Sequence, residues 1–162
     1  MMHVRRFVTL GLVFLAIALA ARSASAQLIE KKTLSLAAAK KMAAAAEAEA
    51  AKNKWTMVIA VLDDGANLVY LERMDGAPLG SVEVAQGKAR TAVTFLRPSK
   101  DLEDAIAKGR VAVLSLGHVT AIQGGLPVMM NGQAIGSIGV SGAMSDQDAQ
   151  CARAGLAALQ SN

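Results

Sequence analysis

Gly124-Gly125-Leu126-Pro127-Val128-Met129-Met130-Asn131-Gly132-Gln133-Ala134-Ile135-Gly136-Ser137-Ile138-Gly139-Val140 is the stretch that decides the fold. Two apolar runs, Leu126 to Met130 and Gln133 to Val140, flank Asn131-Gly132. Asn-Gly tolerates the positive φ angles of a two-residue turn, so this pattern predicts a β-hairpin. Gly124-Gly125 reads as a turn leading into the first strand. Glycines at 136 and 139 weaken a strand, because they add chain entropy and no side chain to pack. Keeping them implies close approach, either of a helix packed on the sheet or of a flat ligand. The spacing is not that of a phosphate loop: no Gly-Lys-Ser/Thr ending follows, and no G-x-G-x-x-G is present.

Downstream, Ser145 to Leu159 predicts a helix with a small apolar face at Ala149, Ala152, Leu156 and Leu159. Ser145 and Asp148 have capping-box spacing at its start. Upstream, Trp55 to Leu62 and Leu68 to Met74 form a second hairpin across Asp63-Asp64-Gly65-Ala66-Asn67. Leu34 to about Lys54 is an alanine-rich helix capped by Ser35. Its Glu47 and Glu49 read as a solvated face. Ser81 to Phe95 is a third helix, stopped by Arg97-Pro98, and Ser99 caps a short fourth one from Asp101 to Lys108. Val111 to Thr120 is apolar and fits neither period. Two hairpins with short connections imply an antiparallel sheet. The terminal helices cover one face and the middle helices the other, an α+β fold in three α/β/α layers.

The first 26 residues have a separate logic. Arg5 and Arg6 precede the apolar run Phe7 to Ala21, and Ala24-Ser25-Ala26 is a small-residue cleavage site. This is the layout of a secretory signal peptide, and its apolar core is shorter than the roughly 20 residues that span a bilayer. The expected mature domain is 27–162, periplasmic or secreted, with no stable membrane anchor. Three of the 17 Lys and Arg residues (Arg5, Arg6, Arg22) leave with the leader, so the remainder nearly balances the 13 Asp and Glu. That balance, with Trp55, Tyr70 and Phe95 as the mature aromatics, argues against a nucleic-acid surface. Cys151 is the single cysteine, which excludes an intramolecular disulfide and a cysteine metal cluster.

Several segments together carry a resemblance: Leu34-Ser35-Leu36-Ala37-Ala38-Ala39, Val61-Leu62-Asp63-Asp64-Gly65, Ser81 through Ala92, Gly124-Gly125-Leu126-Pro127-Val128, and Ile135 through Gly142 followed by Asp146 and Asp148. In order and spacing they resemble the GlcG/HbpS family, which includes the C-terminal domain of PduO-type proteins. The resemblance implies a profilin-like fold with a five-stranded antiparallel sheet, homo-oligomers, and haem as a ligand of several members.

Against that expectation the candidate residues are few. His118 is the histidine left after His3 departs with the leader, and it is the candidate ligand to haem iron. The alternative is a hydrogen-bonded histidine with no ligand. Met129 stands among methionines near the hairpins that offer an axial thioether or simply fill core space. Lys88 and Arg90 are candidates for haem propionates or another small anion, but two residues apart on a helix they do not share a face. Gly124 and Gly125 complete the expected cofactor-binding set. On an enzymatic reading, Glu83 and Lys88 are the candidate catalytic groups, acting on a small anionic metabolite, although no nucleophile–base pair accompanies them. A ligand-free oligomeric scaffold or sensor is the third reading.

Overall fold

A computed structural model of the chain describes residues 28–160. The expected leader, 1–26, lies outside the described residues. The elements run α1 (Leu36–Lys52), β1 (Val58–Asp63), β2 (Leu68–Arg73), α2 (Ser81–Phe95), α3 (Ser99–Ala107), a 3-10 turn (Val111–Ser115), β3 (Gly125–Met130), β4 (Gln133–Ser141) and α4 (Ser145–Gln160). Both hairpins form where their turn residues placed them. Ala66 and Asn131 take positive φ angles of 63° and 51°, and Asp63 Oδ1 accepts the Gly65 and Asn67 amides at 2.9 and 2.8 Å.

The sheet is antiparallel with order β2-β1-β4-β3. Among the described residues it has four strands, which corrects the five-stranded expectation carried by the family resemblance. The two hairpins of the sequence account for all four. The ambiguous segment from Val111 becomes a 3-10 turn and then a loop in which His118 has φ 59°. Pro127, which has no N–H to donate, marks β3 as an edge strand.

Strand alternation divides the core. Met57, Ile59, Val61, Ile138 and Val140 face α1 and α4, where Ala39, Met42, Ala43, Ala46, Cys151 and Ala152 pack. Val58, Ala60 and Leu62 face Ala85 and Ala89 of α2 on the other side. Fully burying such side chains contributes about 1.5–3 kcal/mol for each Val, Ile or Leu. Small residues set the helix distances. A Cβ placed on Gly155 of α4 would fall 2.8 Å from the Met42 carbonyl oxygen of α1. One placed on Gly139 of β4 would fall 2.6 Å from the Ala89 nitrogen and 2.9 Å from its Cβ. Helix α2 therefore sits directly on the backbone of β4 at Gly139, whereas at Gly136 the close approach is filled by the Leu34 side chain and the Leu62 carbonyl oxygen.

Local details depart from expectation at two caps. Pro98 occupies the N-cap of α3, and the Ser99 hydroxyl is drawn inward instead. It donates to the Ile122 carbonyl at 2.7 Å and accepts the Gly125 amide at 2.9 Å. Ser145 opens α4 as its first residue, and Asp148 bonds to the Ala143 amide at 3.1 Å rather than closing a capping box. Among the described residues no helix is long and apolar enough to cross a membrane.

Candidate functional site

Lys88 and Asp148 form the most constrained polar group in the domain. Lys88 points from α2 through the Gly-Gly turn toward the first turn of α4. Its Nζ donates to Asp148 Oδ2 at 2.6 Å and to the Val140 carbonyl at 3.1 Å. The two side chains are 1% and 3% exposed. Burial pushes the Asp148 carboxyl above its usual range, while the adjoining ammonium and the Ala143 and Gly142 amides draw it down. Removing water from two charges costs much of what their attraction returns. The pair therefore serves mainly to orient: it pins α2, the end of β4 and the root of α4 at one point. Lys88 is thus committed inside the protein, with no open face toward an external anion.

The glycines at 124 and 125 exist for that arrangement. Gly124 has φ 126°, and a Cβ on it would meet the Val140 oxygen at 2.7 Å and Lys88 Nζ at 3.0 Å. Gly125 lies against the Lys88 carbonyl group. Beside this turn the surface opens into a cleft of about 210 Å³ between α3, the Gly-Gly turn and α4. Pro98, Asp101, Gly124, Leu126, Ala149 and Arg153 are among its walls. The volume is below the roughly 300–1,000 Å³ of pockets that enclose drug-sized ligands, so a haem does not fit inside it.

The other expected site residues are scattered. His118 is exposed on the loop after the 3-10 turn. That loop is held to α2, where the Thr120 amide donates to the buried Thr91 hydroxyl at 2.8 Å and the Thr120 side chain abuts Gly87. Arg90 is half-buried on the same helix and Glu83 is exposed near its start. Glu83 and Lys88 are not brought together: one faces solvent and the other the interior. Met129 is 45% exposed beside the β3–β4 turn, about 13 Å along the strand from Gly125 at 3.3 Å per residue. Among the described residues, no group of three or more His, Cys, Asp or Glu side chains could hold a metal ion.

Sequence reasoning missed three polar arrangements. Asp148 was legible only as a cap residue, and Ser99 likewise. Glu47 and Glu49 are not a plain solvated face. Glu47 is half-buried, and the Glu72 carboxylate raises its pKa, chiefly by charge and further by a shared hydrogen bond. The Tyr70 hydroxyl donates to Glu72 at 3.0 Å. Glu49 accepts from Gln150 of α4 at 2.6 Å.

The chain's relatives agree with this architecture. The family described as "Haem degrading protein HbpS-like" matches residues 34–157. Protein GlcG of Escherichia coli K12 is 43% identical over 111 residues, covering 68% of this chain and 83% of that one. The crystal structure of a double mutant of Streptomyces reticuli HbpS superposes with a TM-score of 0.78 at 35% identity, over 85% of this chain and 94% of that one. The crystal structure of a PduOC–haem complex gives a TM-score of 0.71 at 29% identity, over 78% and 94% of the two chains. A match that spans both hairpins, all four helices and the Lys88–Asp148 junction establishes that this chain belongs to the HbpS-like family.

Proposed function

We propose that the chain is a haem-binding protein that works in the periplasm or as a secreted protein, in haem or iron handling, as a homo-oligomer. The observation that carries the haem reading is the likeness, over most of the domain, to a PduOC structure solved with haem. The family description, which names haem, supports it. The leader pattern in residues 1–26 supports export.

Two features of the fold bear on the location we propose for haem. The strand is covered by α2 at Gly139 and by Leu34 at Gly136, and the cleft at Gly124 is too small. The surface around the 111–120 loop suits the group better. It offers an exposed imidazole at His118 and exposed apolar side chains at Val111, Leu114 and Leu116, and Arg90 is half-buried on the helix to which Thr120 ties the loop. These are the donor types a haem requires: an axial nitrogen, an apolar bed and a cation for a propionate. Bound haem would supply iron redox chemistry there. The chain's own residues would hold it, His118 as the candidate at the iron and Arg90 as the candidate at a carboxylate. An open surface of this kind, on a chain expected to oligomerise, is a place where a second copy would cover the other haem face.

Titration of the purified chain with hemin tests the reading. A Soret band should develop and saturate near one equivalent per site, and His118→Ala should weaken and shift it. No spectral change at micromolar protein overturns it. Export is tested separately, by the mass of the processed protein recovered outside the cytoplasm. A product beginning at Gln27 is expected, and a full-length cytoplasmic product refutes it.

A further inference from the structure

The cleft between α3 and α4 plays no part in the haem reading, yet its walls are fixed in advance. Ser99 and Glu103 hold the segment 122–125 on α3 through three hydrogen bonds of 2.7, 2.8 and 2.9 Å. On the opposite side the buried Lys88–Asp148 pair anchors the root of α4. A gap between elements that are already locked needs little further ordering to accept a ligand, and such preorganisation favours binding.

Two opposite charges line this gap, Asp101 from α3 and Arg153 from α4. Both residues are exposed. Among the described residues, neither makes a salt bridge or a side-chain hydrogen bond to the other, although both border one cleft of about 210 Å³. The remaining charge there, Lys100, pairs with Asp104 at 2.8 Å and also feels the Asp101 charge. Asp101 has a local reason to exist, since the first turn of a helix favours an acid. That reason does not extend to an unpaired arginine across the cleft. The floor at Gly124 and Gly125 carries no side chains, and Leu126 and Ala149 supply an apolar wall.

Charge decides which ligand fits. A simple carboxylate is attracted by Arg153 and opposed by Asp101, and a simple amine meets the reverse. A molecule bearing both groups gains at both ends. We propose that this cleft binds a small zwitterion, of which an α-amino acid with a short apolar side chain is the simplest form. Its carboxylate lies on the Arg153 guanidinium, its ammonium on the Asp101 carboxylate, and its side chain against Leu126 and Ala149. The site is independent of haem.

The test titrates the isotope-labelled chain with alanine, propionate and propylamine, following the backbone amide resonances of Gly124, Gly125 and Ala149. Alanine should produce saturable shifts with a millimolar dissociation constant, at least about tenfold tighter than either single-charge analogue. Arg153→Gln and Asp101→Asn should each weaken alanine binding by about tenfold or more. Because both side chains are exposed, Arg153→Gln should leave the melting temperature unchanged and Asp101→Asn should lower it by no more than the loss of a first-turn acid, which separates a lost contact from a lost fold. Propionate binding as tightly as alanine overturns the assignment. So does an Asp101→Asn variant that binds alanine unchanged or better, or the lack of any saturable shift.

Discussion

Replacing Gly139 by alanine tests what the glycine strand is for. The added methyl would stand 2.6 Å from the Ala89 nitrogen and 2.9 Å from the Ala89 Cβ, and closer still to the Ala85 carbonyl oxygen. All three belong to the main chain or the Cβ of α2, so no flexible side-chain tip can turn aside. Ordinary contact requires α2 to retreat by more than about 1 Å, and even a gap of 0.5–1 Å forfeits a quarter to a half of each dispersion contact it opens. The contacts at stake are those of Ala85 and Ala89 with Val58, Ala60 and Leu62. Overpacking of this kind costs about 1–3 kcal/mol, occasionally more. For a domain of roughly 130 residues that lowers the melting temperature by about 3–12 °C. Thermal unfolding followed by circular dichroism measures it. Gly80→Ala is the control, since Gly80 has a right-handed helical φ of −62° and nothing within 4 Å of an added Cβ. Gly139→Ala melting within a degree of the parent would refute the packing argument. If it also abolished hemin binding while stability held, the strand would have to face a ligand.

Three further outcomes follow from the polar interior. Lys88→Met leaves Asp148 buried without its partner and should destabilise by about 3–5 kcal/mol in urea denaturation, whereas Lys88→Met with Asp148→Leu should recover much of that loss. A double variant no more stable than the single one would show that the pair is not a self-contained unit. Glu47 has a pKa raised by the Glu72 charge, by burial and by the hydrogen bond between them. The folded state therefore holds this proton more tightly than the unfolded chain. That contribution to stability is complete below the ordinary carboxyl value of 4.5 and is lost as pH rises through the raised one. Glu47→Gln should flatten this part of the stability–pH curve, and an unchanged slope would locate the proton elsewhere. Burial pushes the Cys151 thiol up to about 11, so thiol reagents at pH 8 should label it only after denaturant is added; rapid labelling of the native chain would contradict its buried position.

The amino-acid pattern alone carried the local architecture. Asn131-Gly132 and Asp63 to Asn67 set two hairpins because their turn conformations are properties of a few adjacent residues. The small apolar face predicted for α4 is buried at Ala149 and Ala152 and partly buried at Leu156 and Leu159. Even the strand number was in the hairpins, and the fifth strand came from resemblance rather than from residues. What lay beyond the sequence is every polar pairing between distant elements. Asp148 four residues into the segment Ser145–Leu159 has the spacing of a cap, and Ser99 after Pro98 looks like one. Only the packing of α2 on Gly139 brings Lys88 to within 2.6 Å of a carboxylate 60 positions away, and only the docking of the 122–125 segment turns Ser99 inward. Periodicity says which side of a helix is buried. The group that meets it there depends on sheet order and on how closely the layers approach, and those are set by the whole chain at once.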